Sequence, residues 1–352
     1  MIFSRLILRW YHSSHRNLPW RSTKDPYKIW LSEIILQQTR VNQGKAYYLK
    51  FLNAFPNIDD LAKADEEYVL KLWQGLGYYS RARNLHKTAI YISEELQGHF
   101  PKKYKEVLKL RGIGPYTAAA ICSICYNEKR AVVDGNVYRV LARTHNIQTE
   151  INTNKGIKQF QHIADKLISK KNPGDYNQGL MDLGATICLP KNPQCSCCPV
   201  LNLCKSAGDD NIHLLPVKKK KKKPIKRNIS YLYITDGELF YMQKRQQNDI
   251  WKNLYDFPHL EEQIGIKNQT PSVQQKLMEI LPNQSFKNIS TQKFIHHLSH
   301  QKLYISITII KINRLSKNKN YILMNRQKLH ETPLPRPIDF FFKNSITPLI
   351  DK

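Results

Sequence analysis

Residues 110–118 read LRGIGPYTA and contain two closely spaced glycines. Gly112 and Gly114 allow a tight turn, and the proline that follows suits the first position of a helix. Helical patterns at 103–110 and 116–126 flank the turn. This is the pattern of a helix–hairpin–helix motif, whose backbone N–H groups can hold a DNA phosphate without base preference.

The charge of the chain favours the same kind of partner. Its 352 residues contain 55 Lys and Arg against 28 Asp and Glu, a formal net charge of +27. Such an excess favours a polyanion, most simply nucleic acid, although a lysine-rich proteome would also produce it. Arg5 and Arg9 interrupt the apolar N-terminal stretch, and no apolar run reaches membrane-spanning length. We therefore expect a soluble, cytoplasmic protein that contacts no membrane.

The periodicity of apolar residues changes along the chain and predicts two domains. Residues 1–205 are mostly helical in pattern, with an apolar stripe running from Tyr27 to Val41. The lysine-rich segment 206–228 predicts an extended linker, which could also follow DNA phosphates. From residue 229 onward, strand alternation and a hairpin signal at Asp236-Gly237 predict a smaller α+β domain. Further helices are expected at 66–74, 80–96, 136–145, 155–170, 176–187 and 273–281, and a strand at 303–310.

Four of the seven cysteines follow a rhythm that is typical of a metal site, Cys188-x6-Cys195-x2-Cys198-x5-Cys204. An odd, clustered set of cysteines argues against a disulfide framework. Four thiolates suit either a [4Fe–4S] cluster or zinc. Cys197 lies between two of these ligands, but the spacing favours Cys198. A second C-x-x-C pair, Cys122 and Cys125, lies in an apolar helical pattern and is interpreted as buried packing.

Two carboxylates have the setting of catalytic groups. Asp134 precedes a helical pattern, where it would cap the helix; the N–H groups and the helix dipole would both favour its ionised form. Glu33 lies on the flank of the apolar stripe, beside Trp30 and Ile34. Desolvation there would raise its pKa and make it a candidate general acid.

Together, these features resemble the helix–hairpin–helix DNA glycosylases and, within them, the adenine DNA glycosylases of the MutY type. The matching strings lie at 18–21, 30–39, 75–85, 134–137 and 181–188. The resemblance runs nearly continuously through residues 15–204 and continues more loosely over 251–258.

The resemblance implies a multidomain protein. Residues 1–205 would form an all-α helix–hairpin–helix glycosylase domain whose loop at 188–204 holds a [4Fe–4S] cluster. Residues 206–228 would be the basic linker. Residues 229–352 would form a Nudix-like (MutT-like) α+β domain that recognises 8-oxoguanine. Because no Nudix catalytic box of spaced glutamates is present, this domain would bind rather than hydrolyse.

The resemblance also implies an activity: excision of adenine mispaired with 8-oxoguanine or guanine in double-stranded DNA, by a monomer. Glu33 would protonate adenine N7, and Asp134 would stabilise the oxocarbenium ion or bond to it transiently. Tyr116 and Asn136 would line the sugar side. The implied DNA-binding residues are Arg21, Leu36 and Gln178 near the flipped adenine, Gln38 and Tyr78 in the duplex, Thr39, Gly112 and Gly114, and the reading loop Leu298, Ser299 and His300.

Three positions depart from the family pattern. Tyr116 stands where bifunctional relatives of the endonuclease III type carry a lysine, and a phenol cannot form an imine. Leu298 replaces a phenylalanine in the reading loop, so a stacking surface is lost. Arg111 replaces a proline before the hairpin and could add a phosphate contact. Two alternatives remain: a bifunctional enzyme of the endonuclease III type, and a non-catalytic metal-stabilised DNA-binding protein.

Overall fold

The computed structural model describes residues 1–220, 223–246, 249–264, 271–282 and 284–344. They fall into two compact units. The first unit contains residues 1–63 and 84–220, and the second contains 64–83 together with the described residues from 223 onward. Within these ranges, no helix is long and apolar enough to cross a membrane.

Helices dominate the N-terminal part of the chain. They are α1 (Ile2–Ser14), α2 (Pro26–Leu36), α3 (Val41–Ala54), α4 (Ile58–Lys63), α5 (Glu66–Trp73), α6 (Ser80–Glu95), α7 (Tyr104–Val107), α8 (Pro115–Tyr126), α9 (Gly135–His145), α10 (Asn154–Leu167) and α11 (Pro173–Thr186). Asp25 caps α2, accepting the N–H of Tyr27 at 2.9 Å. The stripe predicted to run on to Val41 is interrupted, because α2 ends at Leu36 and Gln38 adopts a left-handed φ of 63°. This break places residues 37–40 in a loop.

The core of the first unit joins α1, α8, α9 and α11. Buried members of this core include Phe3, Ile7, Ala120, Val140, Leu141, Leu180 and Leu183. Helices α9 and α11 approach closely at Gly184, where a Cβ would lie 2.6 Å from the Cβ of Asn136. Only a glycine permits this spacing.

The second unit is built on a seven-stranded sheet with helices α12 (Val273–Ile280) and α13 (Arg336–Asn344). Its strands are β1 (Ile225–Thr235), β2 (Leu239–Lys244), β3 (Tyr255–Asp256), β4 (His259–Gln263), β5 (Lys287–His297), β6 (Gln301–Lys311) and β7 (Ile322–Asn325). The main strand order is β3-β2-β1-β6-β5, while β4 pairs with β1 and β7 with β2. Strands β1 and β6 are parallel, and β5 and β6 form an antiparallel hairpin.

Residues 64–83, which the sequence patterns place in the helical domain, group instead with the sheet unit. Lys71 Nζ donates to the carbonyls of Leu329 and Thr332 at 2.7 and 2.9 Å. Gln74 accepts the N–H of Leu334 at 3.0 Å and donates to Asp339 at 3.0 Å. These contacts join residues more than 250 positions apart, so no local pattern predicts them.

The predicted linker at 206–228 is shorter than expected at both ends, and residues 221 and 222 of its lysine run lie outside the described residues. On the N-terminal side, Leu215 is buried in the first unit, and Ile151 N–H donates to the Val217 carbonyl at 3.0 Å. On the C-terminal side, residues 225–228 already belong to strand β1. Backbone hydrogen bonding to neighbouring elements therefore orders much of this segment despite its charge.

The contact at Gly184 predicts a difference between two otherwise identical substitutions. Gly184→Ala should reduce the free energy of unfolding by about 1–3 kcal/mol, because the new Cβ overlaps Asn136. Gly135→Ala, adjacent to the same Asn136 but with no heavy atom within 4 Å of the added Cβ, should change it little. Urea unfolding followed by circular dichroism measures both. Equal stabilities of the two variants would contradict the close packing.

Candidate active site

A cavity of about 500 Å³ in the first unit brings together side chains from five parts of the sequence. Helix α2 contributes Glu33, α8 contributes Tyr116, the N-terminus of α9 contributes Asp134, and α11 contributes Gln178. Of the other residues predicted for this site, Arg21, Leu36, Gln38, Thr39 and Asn136 also line the cavity. The two carboxylates are 101 positions apart in the sequence and meet because α2 and α9 both open onto this space.

Glu33 is buried, with 8 % of its surface exposed. The pKa of its carboxyl is raised to about 7, chiefly by burial and to a smaller extent by the neighbouring Asp134. A hydrogen bond from Tyr116 and the charge of Arg21 act in the opposite direction. The carboxyl therefore carries a proton in a substantial fraction of molecules at neutral pH, as a general acid requires.

Asp134 caps α9, and its Oδ1 accepts the N–H of Val137 at 2.7 Å. Its Oδ2 accepts from the Asn136 amide at 2.9 Å, and Asn136 accepts in turn from Arg139 at 2.9 Å. These donors lower its pKa, but burial outweighs them and the net direction is upward. The predicted effect of capping, a lower pKa, is therefore present, and enclosure in the cavity opposes it.

The Tyr116 phenol is influenced by both carboxyl groups of the cavity. Burial, followed by the charges of Glu33 and Asp134, raises the pKa of Tyr116 well above its ordinary value. The hydroxyl also approaches Met181 Sδ at 3.2 Å. The phenol thus stays protonated and serves as a donor within the cavity.

The helix–hairpin–helix turn lies outside the cavity's lining. Gly112 has a φ of +78°, and a Cβ there would meet Asn84 Cβ at 2.7 Å. Gly114 precedes Pro115 as the N-cap of α8. Arg111 is exposed, and its Nε donates to Asn84 at 3.1 Å. Asn84 thus packs against the turn, and Gly112 and Gly114 are exposed to solvent.

Sequence reasoning missed a buried ion cluster in the cavity wall. Asp182, fully buried on α11, accepts from Arg16 Nε at 3.0 Å and from Arg21 Nη2 at 2.9 Å. Arg16 and Arg21 both line the cavity. The available signal was the single acidic residue within the short apolar stretch Leu180–Leu183.

Cys188, Cys195, Cys198 and Cys204 line one small cavity beneath α9. Cys197 is exposed and does not line it. Among the described residues, no three His, Cys, Asp or Glu side chains are arranged to hold a single metal ion.

The charge around the cysteine loop also fits an anionic thiolate centre. Arg143 is buried, and its guanidinium donates to the carbonyls of Leu189 at 2.7 Å and Pro190 at 3.0 Å. It also approaches Cys188 Sγ at 3.5 Å. These partners are neutral carbonyls and a sulfur, and a buried cation needs an anion nearby. Metal-bound thiolates would supply that negative charge.

A second cavity, of about 510 Å³, lies within the sheet unit. It is lined by the 75–80 turn, by Trp251 and by the β5–β6 hairpin, which carries Leu298, Ser299 and His300. The Tyr78 hydroxyl donates to Ser299 Oγ. The structure therefore joins Tyr78 to the predicted reading loop, two features that the sequence assigned to different domains.

Domain and structure comparisons identify the class of protein to which the chain belongs. Residues 31–166 match the HhH-GPD superfamily of base excision DNA repair proteins, and residues 230–344 match the NUDIX domain. The structure of a thermostable thymine-DNA glycosylase superposes with a TM-score of 0.53 at 32% identity, covering 58% of this chain and 95% of that one. Fold and domain matches together define a helix–hairpin–helix DNA glycosylase with an added Nudix-like domain, which confirms the predicted fold class.

Full-length relatives narrow the class to one family. The adenine DNA glycosylase of Buchnera aphidicola subsp. Schizaphis graminum is 36% identical over 96% of both chains. That of Buchnera aphidicola subsp. Baizongia pistaciae is 39% identical over 96% of this chain and 95% of its own. The chain therefore belongs to the adenine DNA glycosylase family, and the predicted resemblance is confirmed.

The cysteine cavity predicts opposite outcomes for two neighbouring substitutions. Cys198→Ala should abolish iron binding and visible absorption and lower the melting temperature, because one of four ligands is lost. Cys197→Ala, at the adjacent but exposed cysteine, should leave iron binding, visible absorption and melting temperature unchanged. Metal analysis and absorption spectroscopy of the purified proteins measure this. Bound zinc without visible absorption would contradict a cluster.

Proposed function

We propose that this protein is a monofunctional glycosylase that removes adenine mispaired with 8-oxoguanine or guanine in duplex DNA. The observation that carries the proposal is the meeting of Glu33 and Asp134 in one cavity of a chain that belongs to the adenine DNA glycosylase family. The cavity suits a flipped purine in volume, and its wall combines aromatic, amide and cationic side chains. The enzyme acts on chromosomal DNA in the cytoplasm as a monomer.

The proposed reaction begins with proton transfer. Adenine leaves poorly as an anion, so protonated Glu33 gives its proton to N7 as the N-glycosidic bond breaks. The bonding electrons leave with the base as neutral adenine, and the sugar becomes an oxocarbenium ion. Asp134 lines the same cavity, where its carboxylate stabilises that cation or bonds to it transiently. Water then adds to the sugar carbon and loses a proton, which leaves an abasic site.

The same arrangement disfavours cleavage of the DNA strand. Tyr116 occupies the position of the lysine in bifunctional relatives, and its phenol stays protonated in the cavity. It cannot form the imine that β-elimination needs. The hydroxyl instead donates a hydrogen bond toward Glu33. The proposal therefore assigns strand scission to later enzymes.

Recognition of 8-oxoguanine is proposed for the second cavity. Ser299 and His300 are exposed at the tip of the β5–β6 hairpin, where they can donate to base edges. Leu298 is half-buried there and can wedge between bases without stacking. The Tyr78 contact fixes Ser299, which orders the loop before DNA arrives.

We also assign a [4Fe–4S] cluster to the four cysteines of the first unit. Cys188, Cys195, Cys198 and Cys204 would hold it, with Arg143 balancing its negative charge. When bound, the cluster supplies rigidity to a loop that also carries exposed lysines, rather than chemistry at the base. This loop is suited to gripping the DNA backbone.

Isosteric substitutions test the roles of the two carboxyl groups. Glu33→Gln should lower the single-turnover rate of adenine release by roughly 10²–10⁴-fold, because the proton donor is lost. Asp134→Asn should produce a comparable loss, while Glu94→Gln, on the exposed face of α6, should retain the wild-type rate. Alkali-induced scission of a duplex with A opposite 8-oxoguanine reports the rate. Wild-type activity in Glu33→Gln, or strong borohydride trapping of wild type on DNA, would contradict the proposal.

A second test addresses the reading loop. Ser299→Ala combined with His300→Ala should reduce the preference for 8-oxoguanine over guanine opposite adenine, because the polar contacts to the base are removed. The double substitution Ser169→Ala with His162→Ala, in the first unit, serves as a matched control. Single-turnover rates on the two duplexes give the ratio. An unchanged ratio in the loop variant would show that recognition lies elsewhere.

A further inference from the structure

One cavity-wall cluster remains outside the proposed chemistry, and it is unusual in its charge. Asp182 accepts two hydrogen bonds from the Arg16 guanidinium, at 3.0 and 2.5 Å, and one from the Arg16 backbone N–H at 3.2 Å. The same carboxylate accepts from Arg21 Nη2 at 2.9 Å. Two guanidinium groups thus share one carboxylate, which leaves one uncompensated positive charge in the wall.

The charged groups of this cluster are buried and held by several contacts. The Asp182 side chain is 1 % exposed, and that of Arg21 is 8 % exposed. Burying charges at such sites is costly unless their partners are fixed. Arg21 has additional support from Tyr11, whose hydroxyl lies 3.5 Å from Nη1 and whose ring lies beneath the guanidinium at 5.8 Å. Its Nε is buried without a partner within the described structure, at the cavity wall.

The cluster lies in the same cavity as Glu33, because Arg16, Arg21 and Glu33 all line it. The charge of Arg21 lowers the pKa of the Glu33 carboxyl. The other groups that face Glu33 are Asp134 from the α9 terminus and, from α8, Tyr116 and Cys125. Burial raises the pKa of the Cys125 thiol to about 12, so that group stays neutral. The pKa of Glu33 therefore depends on how strongly the Asp182 carboxylate neutralises the charge of Arg21.

We infer that Asp182 is a positioning residue that fixes Arg21 in the cavity wall and limits the positive charge that Glu33 experiences. Arg16 competes with Arg21 for the same carboxylate and so opposes this neutralisation. The inference rests on the proposed role of Glu33 as the general acid. It assigns no contact with substrate to Asp182, which is buried behind both arginines.

The inference predicts shifts of opposite sign from two substitutions. Asp182→Asn removes an anion, which favours ionised Glu33, lowers its pKa and moves the alkaline decline of the rate to lower pH by about one unit. Arg16→Gln removes a cation and leaves Asp182 to Arg21 alone, so the decline should move to higher pH by roughly half a unit. The double variant restores the wild-type charge of the wall, and its decline should return close to that of wild type.

The rate of single-turnover adenine release is measured between pH 5 and 9 for wild type, the two single variants and the double variant. Circular dichroism confirms that each protein is folded. A merely structural role would lower the rate without moving the decline in opposite directions. Coincident declines, or shifts of the same sign, overturn the inference. If Asp182→Asn does not fold, the Arg16→Gln variant alone tests the inference, because the Arg16 side chain is 28 % exposed and tolerates substitution better. A shift of its decline to higher pH supports the inference, and a shift to lower pH overturns it. Absence of adenine release from wild type would instead refute the proposed function, which keeps the two failures distinct.

Discussion

The first unit depends on the hydrogen bonds that two arginines of helix α9 make to the loop carrying Cys188. Arg139 donates to the Cys188 carbonyl at 2.7 Å and to the Gly184 carbonyl at 2.7 Å, while Arg143 holds the next two carbonyls of the loop. Arg143 is buried and Arg139 is half-buried, so losing these hydrogen-bond partners would be costly. Because Asp134 caps the same helix, the cysteine loop and the carboxylate are fixed to one rigid element.

Enclosure then gives the two carboxyl groups of the cavity different surroundings. Glu33 emerges from an apolar helix face and receives few donors, so burial dominates and its pKa rises to about 7. Asp134 is enclosed as well, but it accepts hydrogen bonds from Val137 and Asn136 that favour its charged form. The same cavity can therefore present both a proton donor and a carboxylate. That division of labour is what the proposed excision of adenine requires.

Local signals in the sequence were sufficient for much of the fold. The hairpin glycines, the α8 and α9 boundaries, the hairpin at Asp236-Gly237 and the strand around 303–310 all follow from turn chemistry and periodicity, and the structure contains each of them. Helices α1, α3 and α4 were not predicted. The N-cap positions of α1 and α3 make no side-chain capping hydrogen bond, so a clear start signal was missing.

Features that depend on distant contacts were beyond the sequence. Arg16 and Asp182 are 166 positions apart, and neither belongs to a motif that requires the other. Tyr78 was expected in the helical domain, yet it contacts Ser299 in the sheet unit. The upward effect of burial on the Asp134 pKa could not be predicted for the same reason: capping is local and visible in sequence, whereas desolvation depends on which elements close over the group.

The central claim is that burial converts Glu33 into an acid that is protonated near neutral pH. The most direct test is an NMR titration of the Glu33 side-chain carboxyl in protein labelled with ¹³C-glutamate, assigned by comparison with Glu33→Gln. The account predicts a midpoint at a pH of about 7. A midpoint at the ordinary glutamate value, near 4.3, would contradict it.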